Sequence, residues 1–239
     1  MSKKVVILID GQNLFYGLKQ LGLKELDIKW TELFNSMLDP NDELIRAYWF
    51  RPQRILDGHL TPDSIRNQIV YKNYNGNYHD YKSGNHSAIN TATLSKIEND
   101  AKQVEQWMQE QKTRFSNIEY NYDQLCLDNS DIEIVKKGIV KVNPYLQEYN
   151  GEKGVDIALA VKMISLSVEQ KCNKIILISG DYDYAEAISY VKNNMTKVHI
   201  VKLHKGFPPK NRNMSRDLSV LADKIIDLFE ADIRSNYLK

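Results

Sequence analysis

Residues 5–9, Val-Val-Ile-Leu-Ile, are β-branched or leucine at every position and stop at Asp10-Gly11. A run without polar alternation must be covered on both faces, as a strand inside a parallel sheet is. The glycine after the aspartate permits a tight turn, so a helix is expected next, with Leu14, Phe15, Leu18 and Leu21 on its buried face. The same plan recurs at residues 175–178, where Ser179-Gly180-Asp181 closes an aliphatic run. Residues 45–50 read as a short aromatic strand ended by Arg51-Pro52, and 197–203 as one more strand. Helices are expected over 155–168, through Val155, Leu159, Ala160, Met163 and Ile164, and over 185–191. Strands alternating with helices predict an α/β fold with a central, mainly parallel sheet flanked by helices.

Residues 53–144 break this rhythm. The stretch 71–85 holds Tyr71, Tyr74, Tyr78 and Tyr81 among glycine and polar residues, and reads as a long loop or a homodimer contact; with Lys72 and Lys82 it could also stack on unpaired bases. A charged helix is expected over 92–112, packed through Leu94, Ile97, Val104, Trp107 and Met108. Residues 118–127 and 132–142 read as strands, the latter turning at Lys137-Gly138. The 239 residues fit one large domain, 1–239, with 53–144 as an elaboration of it.

In open α/β sheets, ligands bind beyond the carboxyl ends of the strands, where loops converge. Asp10 stands at one such end, Asp181 and Asp183 just past another, and Asp156 in the first turn of a helix behind Gly154. Taken singly, each is a helix cap or a turn former. Taken together, carboxylates that close repel one another, and a hard divalent cation, Mg²⁺ or Mn²⁺, relieves that repulsion. The absence of His and Cys from the set argues against zinc. Such a cage suits phosphodiester hydrolysis, because it polarises the phosphoryl oxygen and lowers the pKa of a bound water. Asn13 and Ser179 are candidates to orient water or phosphate, and Lys153 to neutralise phosphate charge.

Lys+Arg number 32 against 31 Asp+Glu, so any nucleic-acid binding must come from local patches. One such patch flanks Phe207: Lys202, His204, Lys205, Lys210, Arg212 and Arg216. The two cysteines, Cys126 and Cys172, form no CxxC motif, which fits a reducing compartment; with no long apolar run near the start, a soluble cytoplasmic protein is expected.

Three segments, Ile7-Leu-Ile-Asp-Gly-Gln-Asn13, Lys153-Gly-Val-Asp-Ile-Ala-Leu-Ala160 and Leu177-Ile-Ser-Gly-Asp-Tyr-Asp183, resemble the signatures of the NYN domain in its LabA-like branch. A fourth, residues 215–228, resembles the closing helix of that family. The resemblance implies a PIN-like three-layer fold and a metal-dependent ribonuclease, with Asp10, Asp156, Asp181 and Asp183 as the metal-binding acids and Asn13 beside them. It covers about 5–50 and 151–228; the middle departs from the family pattern.

Other readings explain fewer residues. A haloacid-dehalogenase-type phosphatase would need a second aspartate where Gln12 stands. A DxD glycosyltransferase would use Asp181-Tyr-Asp183 but leave Asp10 and Asp156 without a role. No GxGxxG or P-loop is present. An RNA-binding or protein-interaction module with weak or no hydrolysis is the non-enzymatic alternative.

Overall fold

The computed structural model describes residues 2–56, 58, 60–210 and 216–239. Along the chain the first elements are β1 (Lys3–Asp10), α1 (Gly11–Leu21), α2 (Trp30–Ser36), β2 (Asp42–Arg51), β3 (Arg54–Leu56), α3 (Pro62–Asn73), α4 (Tyr78–Lys82) and α5 (Thr91–Asp128). Then come β4 (Ile132–Lys136), β5 (Ile139–Asn143), β6 (Glu148–Lys153), α6 (Val155–Val168), β7 (Lys174–Ile178) and α7 (Ala185–Asn193). The chain closes with β8 (Lys197–His204), α8 (Arg216–Leu221), β9 (Lys224–Phe229) and α9 (Glu230–Asn236). It divides into two compact units, the second comprising Arg54–Glu119 and Ile139–Lys153.

The first unit is built on a six-stranded sheet in the order β4-β2-β1-β7-β8-β9, every neighbouring pair parallel. The unbroken aliphatic run of β1 supplies both faces, because alternate side chains of a strand point to opposite sides. Val5, Ile7 and Ile9 join Leu14 and Leu18 of α1, Trp30 and Phe34 of α2, and Trp49 in one core. Val6 and Leu8 join Val155, Leu159 and Met163 of α6 and Ile188 and Val191 of α7 in the other. Each fully buried aliphatic contributes about 1.5–3 kcal/mol, and two cores on one sheet give the three-layer α/β architecture expected. Phe15 is an exception to the expected helix face: it is 45% exposed, since Leu14, Leu18 and Leu21 already fill the stripe against the sheet.

The second unit carries a small sheet in the order β3-β5-β6 and a helical core of Ile65, Ile69, Ala101 and Val104. Arg66 of α3 ties to Glu98 and Glu105 of α5 at 2.9 and 2.8 Å.

Four local expectations are corrected. Residues 71–85 are largely helical rather than a polar loop. A Thr61/Ser64 capping box and Pro62 start α3, and the tyrosines then anchor the turns that follow. Tyr74 O–H reaches Asp100 at 3.0 Å, Tyr71 packs edge-on to Tyr78, and Tyr81 stacks on His86. Residues 118–127 belong to α5, not to a strand; their apparent alternation fails because Ile118 and Tyr120 are exposed, while Tyr122 and Leu125, at helical spacing, are buried. Lys137-Gly138 does not close a hairpin: β4 pairs with β2 in the large sheet and β5 with β3 and β6 in the small one. The closing segment is the short helix α8 followed by strand β9, which pairs with β8. Asp223 starts that strand, its carboxylate accepting Val198 N–H at 2.7 Å. Ser215 of that segment lies outside the described residues.

Candidate active site

Ile9 pairs with Ile178, so the ends of β1 and β7 lie side by side and the residues beyond them meet. Asp10 ends β1 and caps α1, its Oδ1 accepting Asn13 N–H at 3.0 Å. Gly11 must be glycine for space, since a Cβ there would stand 2.6 Å from the Phe50 carbonyl oxygen. Asn13 crosses to the facing loop, its Oδ1 accepting Gly180 N–H at 3.0 Å. From that loop Asp181 N–H donates to Ser179 Oγ at 3.1 Å, and Ser179 O–H donates to Asp10 Oδ2 at 3.2 Å. The two strand ends are thus stitched together through the pair that the sequence analysis assigned to orienting roles.

Asp156 enters from the first turn of α6, which starts at Gly154 with φ of 84°, a left-handed conformation suited to glycine. Tyr184, buried at the start of α7, joins it to Asp10: its hydroxyl lies 3.1 Å from Asp10 Oδ2 and 3.3 Å from Asp156 Oδ1. One hydroxyl proton serves two carboxylates. Asp181 caps the turn that follows β7, accepting Asp183 N–H at 3.1 Å.

The electrostatics follow from this placement. Asp10 is only 3% exposed, and burial raises its pKa against the lowering effect of hydrogen bonds from Asn13, Tyr184 and Ser179. Asp156 is raised by burial and then by the charge of Asp10, with smaller contributions from Asp181 and Asp183 and a counteracting Tyr184 hydrogen bond. Tyr184 is held far up by burial and by the two carboxylates it touches.

Other assigned residues fall elsewhere. Lys205 and Lys210 occupy the turn after β8, at the same end of the sheet. Lys153 ends β6 in the second unit. Arg212 lies outside the described residues. Sequence reasoning missed Tyr184, because an aromatic residue at a helix start reads as core and only the packed structure aims its hydroxyl at the acids. It also missed the role of Arg51 at the end of β2, which pairs with Glu25 at 2.8 Å and lies over the Tyr122 ring at 4.0 Å. That guanidinium charge is taken up by Glu25.

Among the described residues, no three His, Cys, Asp or Glu side chains stand close enough together to hold one ion. The donor chemistry nonetheless fits a hard divalent cation. All the acids carry oxygen, their charges act on Asp156 in concert, and the groups opposing that repulsion are N–H and O–H donors. Of the four acids expected as ligands, Asp10 and Asp156 are the two that one hydroxyl brings together, while Asp181 and Asp183 follow on the turn after β7.

Among the described residues, no helix is long and apolar enough to cross a membrane. Comparison with curated proteins and with solved structures gives no match. The family model of the NYN domain matches residues 4–229, a span that takes in both strand ends, the Asp156 helix and the whole parallel sheet, and the chain therefore belongs to the NYN family of PIN-like nuclease folds.

Proposed function

We propose that this protein is a metal-dependent endoribonuclease of the LabA-like branch. The observation that carries the reading is the convergence at one sheet edge: Asp10 and Asp156 share the Tyr184 hydroxyl, and the charges of Asp10, Asp181 and Asp183 raise Asp156. Bound Mg²⁺ or Mn²⁺ would supply charge neutralisation at the scissile phosphate and a water acidic enough to attack it. The chain's own residues do the positioning. Asn13 N–H, Ser179 and Tyr184 fix the Asp10 carboxylate in one orientation, and Asn13, by engaging Gly180, holds the Asp181 loop against α1. Lys205 and Lys210, past the end of β8, are the assigned backbone contacts for an RNA substrate. The surrounding scheme is one NYN domain elaborated over 53–144, acting in the cytoplasm, with homodimerisation open to test.

A second reading, an RNA-binding module with weak or no hydrolysis, is favoured by one observation. Asp10 already accepts three hydrogen bonds, which leaves little of a buried carboxylate for an ion.

The discriminating experiment incubates end-labelled RNA and matched single-stranded DNA with the protein in Mg²⁺, in Mn²⁺ and in EDTA, beside Asp181→Asn. Cleavage that needs metal and vanishes in the folded variant is the expected result. Tight RNA binding without cleavage would replace the nuclease with the binding module; neither cleavage nor binding would sink both.

A further inference from the structure

The turn after β8 holds an aromatic side chain in water on a rigid support. Phe207 is 88% exposed, yet its ring packs edge-on to Phe229 at 5.8 Å between centroids. Phe229, at the end of β9, is in turn stacked on His204 at 4.8 Å and 22°. His204 is buried at the end of β8, its Nε2 2.6 Å from Asp227 Oδ1. The turn itself is closed by Lys210 N–H donating to the Lys205 carbonyl at 2.9 Å, with Gly206 at φ 72°. Two rings and a carboxylate, rooted in two parallel strands, thus buttress the open ring of Phe207, which has a lysine on either side of it in the turn.

We propose that Phe207 is a base-stacking subsite for an unpaired nucleotide of the substrate, a deepening that rests on the nucleic-acid reading of the acidic site. Stacking needs an open aromatic face that every base can use, next to cations for the flanking phosphates, and Lys205-Gly-Phe-Pro-Pro-Lys210 supplies that order. The single ring is too small an apolar area for a protein interface, whereas it matches one base. Position agrees with this occupant. The sheet order β1-β7-β8 puts the end of β8 two strand spacings, roughly 10 Å, across from Asp10 at the same edge. Between them, on the loop after β7, Tyr182 is 53% exposed, so a strand laid across this end of the sheet meets an exposed aromatic residue on both neighbouring loops. A duplex keeps its bases stacked internally and gains nothing from Phe207.

The test measures binding in EDTA, where cleavage does not intervene, by fluorescence anisotropy at fixed salt. The probes are an unstructured RNA oligonucleotide, the same backbone with abasic positions, and a blunt RNA duplex. Phe207→Ala should weaken binding of the unstructured RNA by roughly 5- to 150-fold. Phe207→Trp should restore it, and the abasic and duplex probes should not distinguish the variants. Circular dichroism of Phe207→Ala should match the wild type, as truncation of an exposed ring implies. Equal affinity of Phe207→Ala and wild type for the unstructured RNA would overturn the subsite while leaving the nuclease reading intact. Equal losses on all three probes would also overturn it, since they would report a general effect on the surface. A wild-type protein that binds none of the probes would overturn the subsite together with the nucleic-acid reading.

Discussion

The two ends of the parallel sheet use the same residue type to opposite effect. At the carboxyl end, Asp10 and Asp156 are met by an amide N–H and two hydroxyls, and their pKa values are pushed up by burial and mutual charge. At the amino end, Asp39 and Asp42 face Lys174, whose side chain is 4% exposed; Asp39 accepts from it at 2.6 Å and from Lys224 at 2.6 Å. There the lysine hydrogen bonds hold the Asp39 carboxyl well below the usual range, and burial of the Lys174 ammonium is outweighed by its two partners. Compensated charge cements one edge, and uncompensated charge is stored at the other. Repulsion of this kind lowers stability, and a bound cation of the proposed sort would relieve it.

The largest effect should come from the compensated end. Lys174→Met would leave the buried Asp42 carboxylate unpaired and cost about 3–5 kcal/mol, read by guanidinium unfolding. A loss under about 1 kcal/mol would mean that this edge is not held by its ion pairs. Next in size is Tyr184→Phe, which removes the hydroxyl shared by two carboxylates and should cost about 1–3 kcal/mol in the same assay. No change would show that the hydroxyl merely sits between the acids. Asp156→Asn should act in the opposite direction, raising metal-free stability by roughly 0.5–2 kcal/mol at neutral pH. The sign follows from its raised pKa: folding loses stability as pH rises through the folded value, so the variant's advantage should fade in acid, where the wild-type carboxyl is protonated. The smallest effect is that of Asp39, whose lowered pKa stabilises the fold above the unfolded value near ~3.9 and stops doing so as pH falls through the folded one. Asp39→Asn should flatten that acid limb in thermal melts taken across pH, and an unchanged limb would assign it to other carboxylates.

Residues that report on a strand interior were the most legible. The β1 run announces a strand covered twice because no polar residue interrupts it, and the two-sided core bears that out. The alternation of strands and helices, likewise, led to the three-layer sheet. Where a segment offered two periods, local pattern misled: Ile118, Tyr120 and Tyr122 alternate like a strand, yet α5 continues through them because Tyr122 and Leu125 find the buried stripe. The end of the chain misled in the other direction. Residues 224–229 follow a short helix and carry Ile225, Ile226 and Leu228, but β8 presents an open edge and they pair with it.

The candidate site divides in the same way. Aspartates after glycine-marked strand ends are visible in sequence because both the turn and the charge are local properties, and parallel topology requires such ends to share one edge. The hydroxyl of Tyr184 between Asp10 and Asp156, the stacked rings beneath Phe207 and the lysines closing the amino end all join residues far apart in the chain. Sequence by itself determined which residues could carry charge and where the backbone must turn. Tertiary structure alone decided which carboxylates are answered by lysine and which only by N–H and O–H donors, because burial and distance, not residue type, set the free energy of a carboxylate.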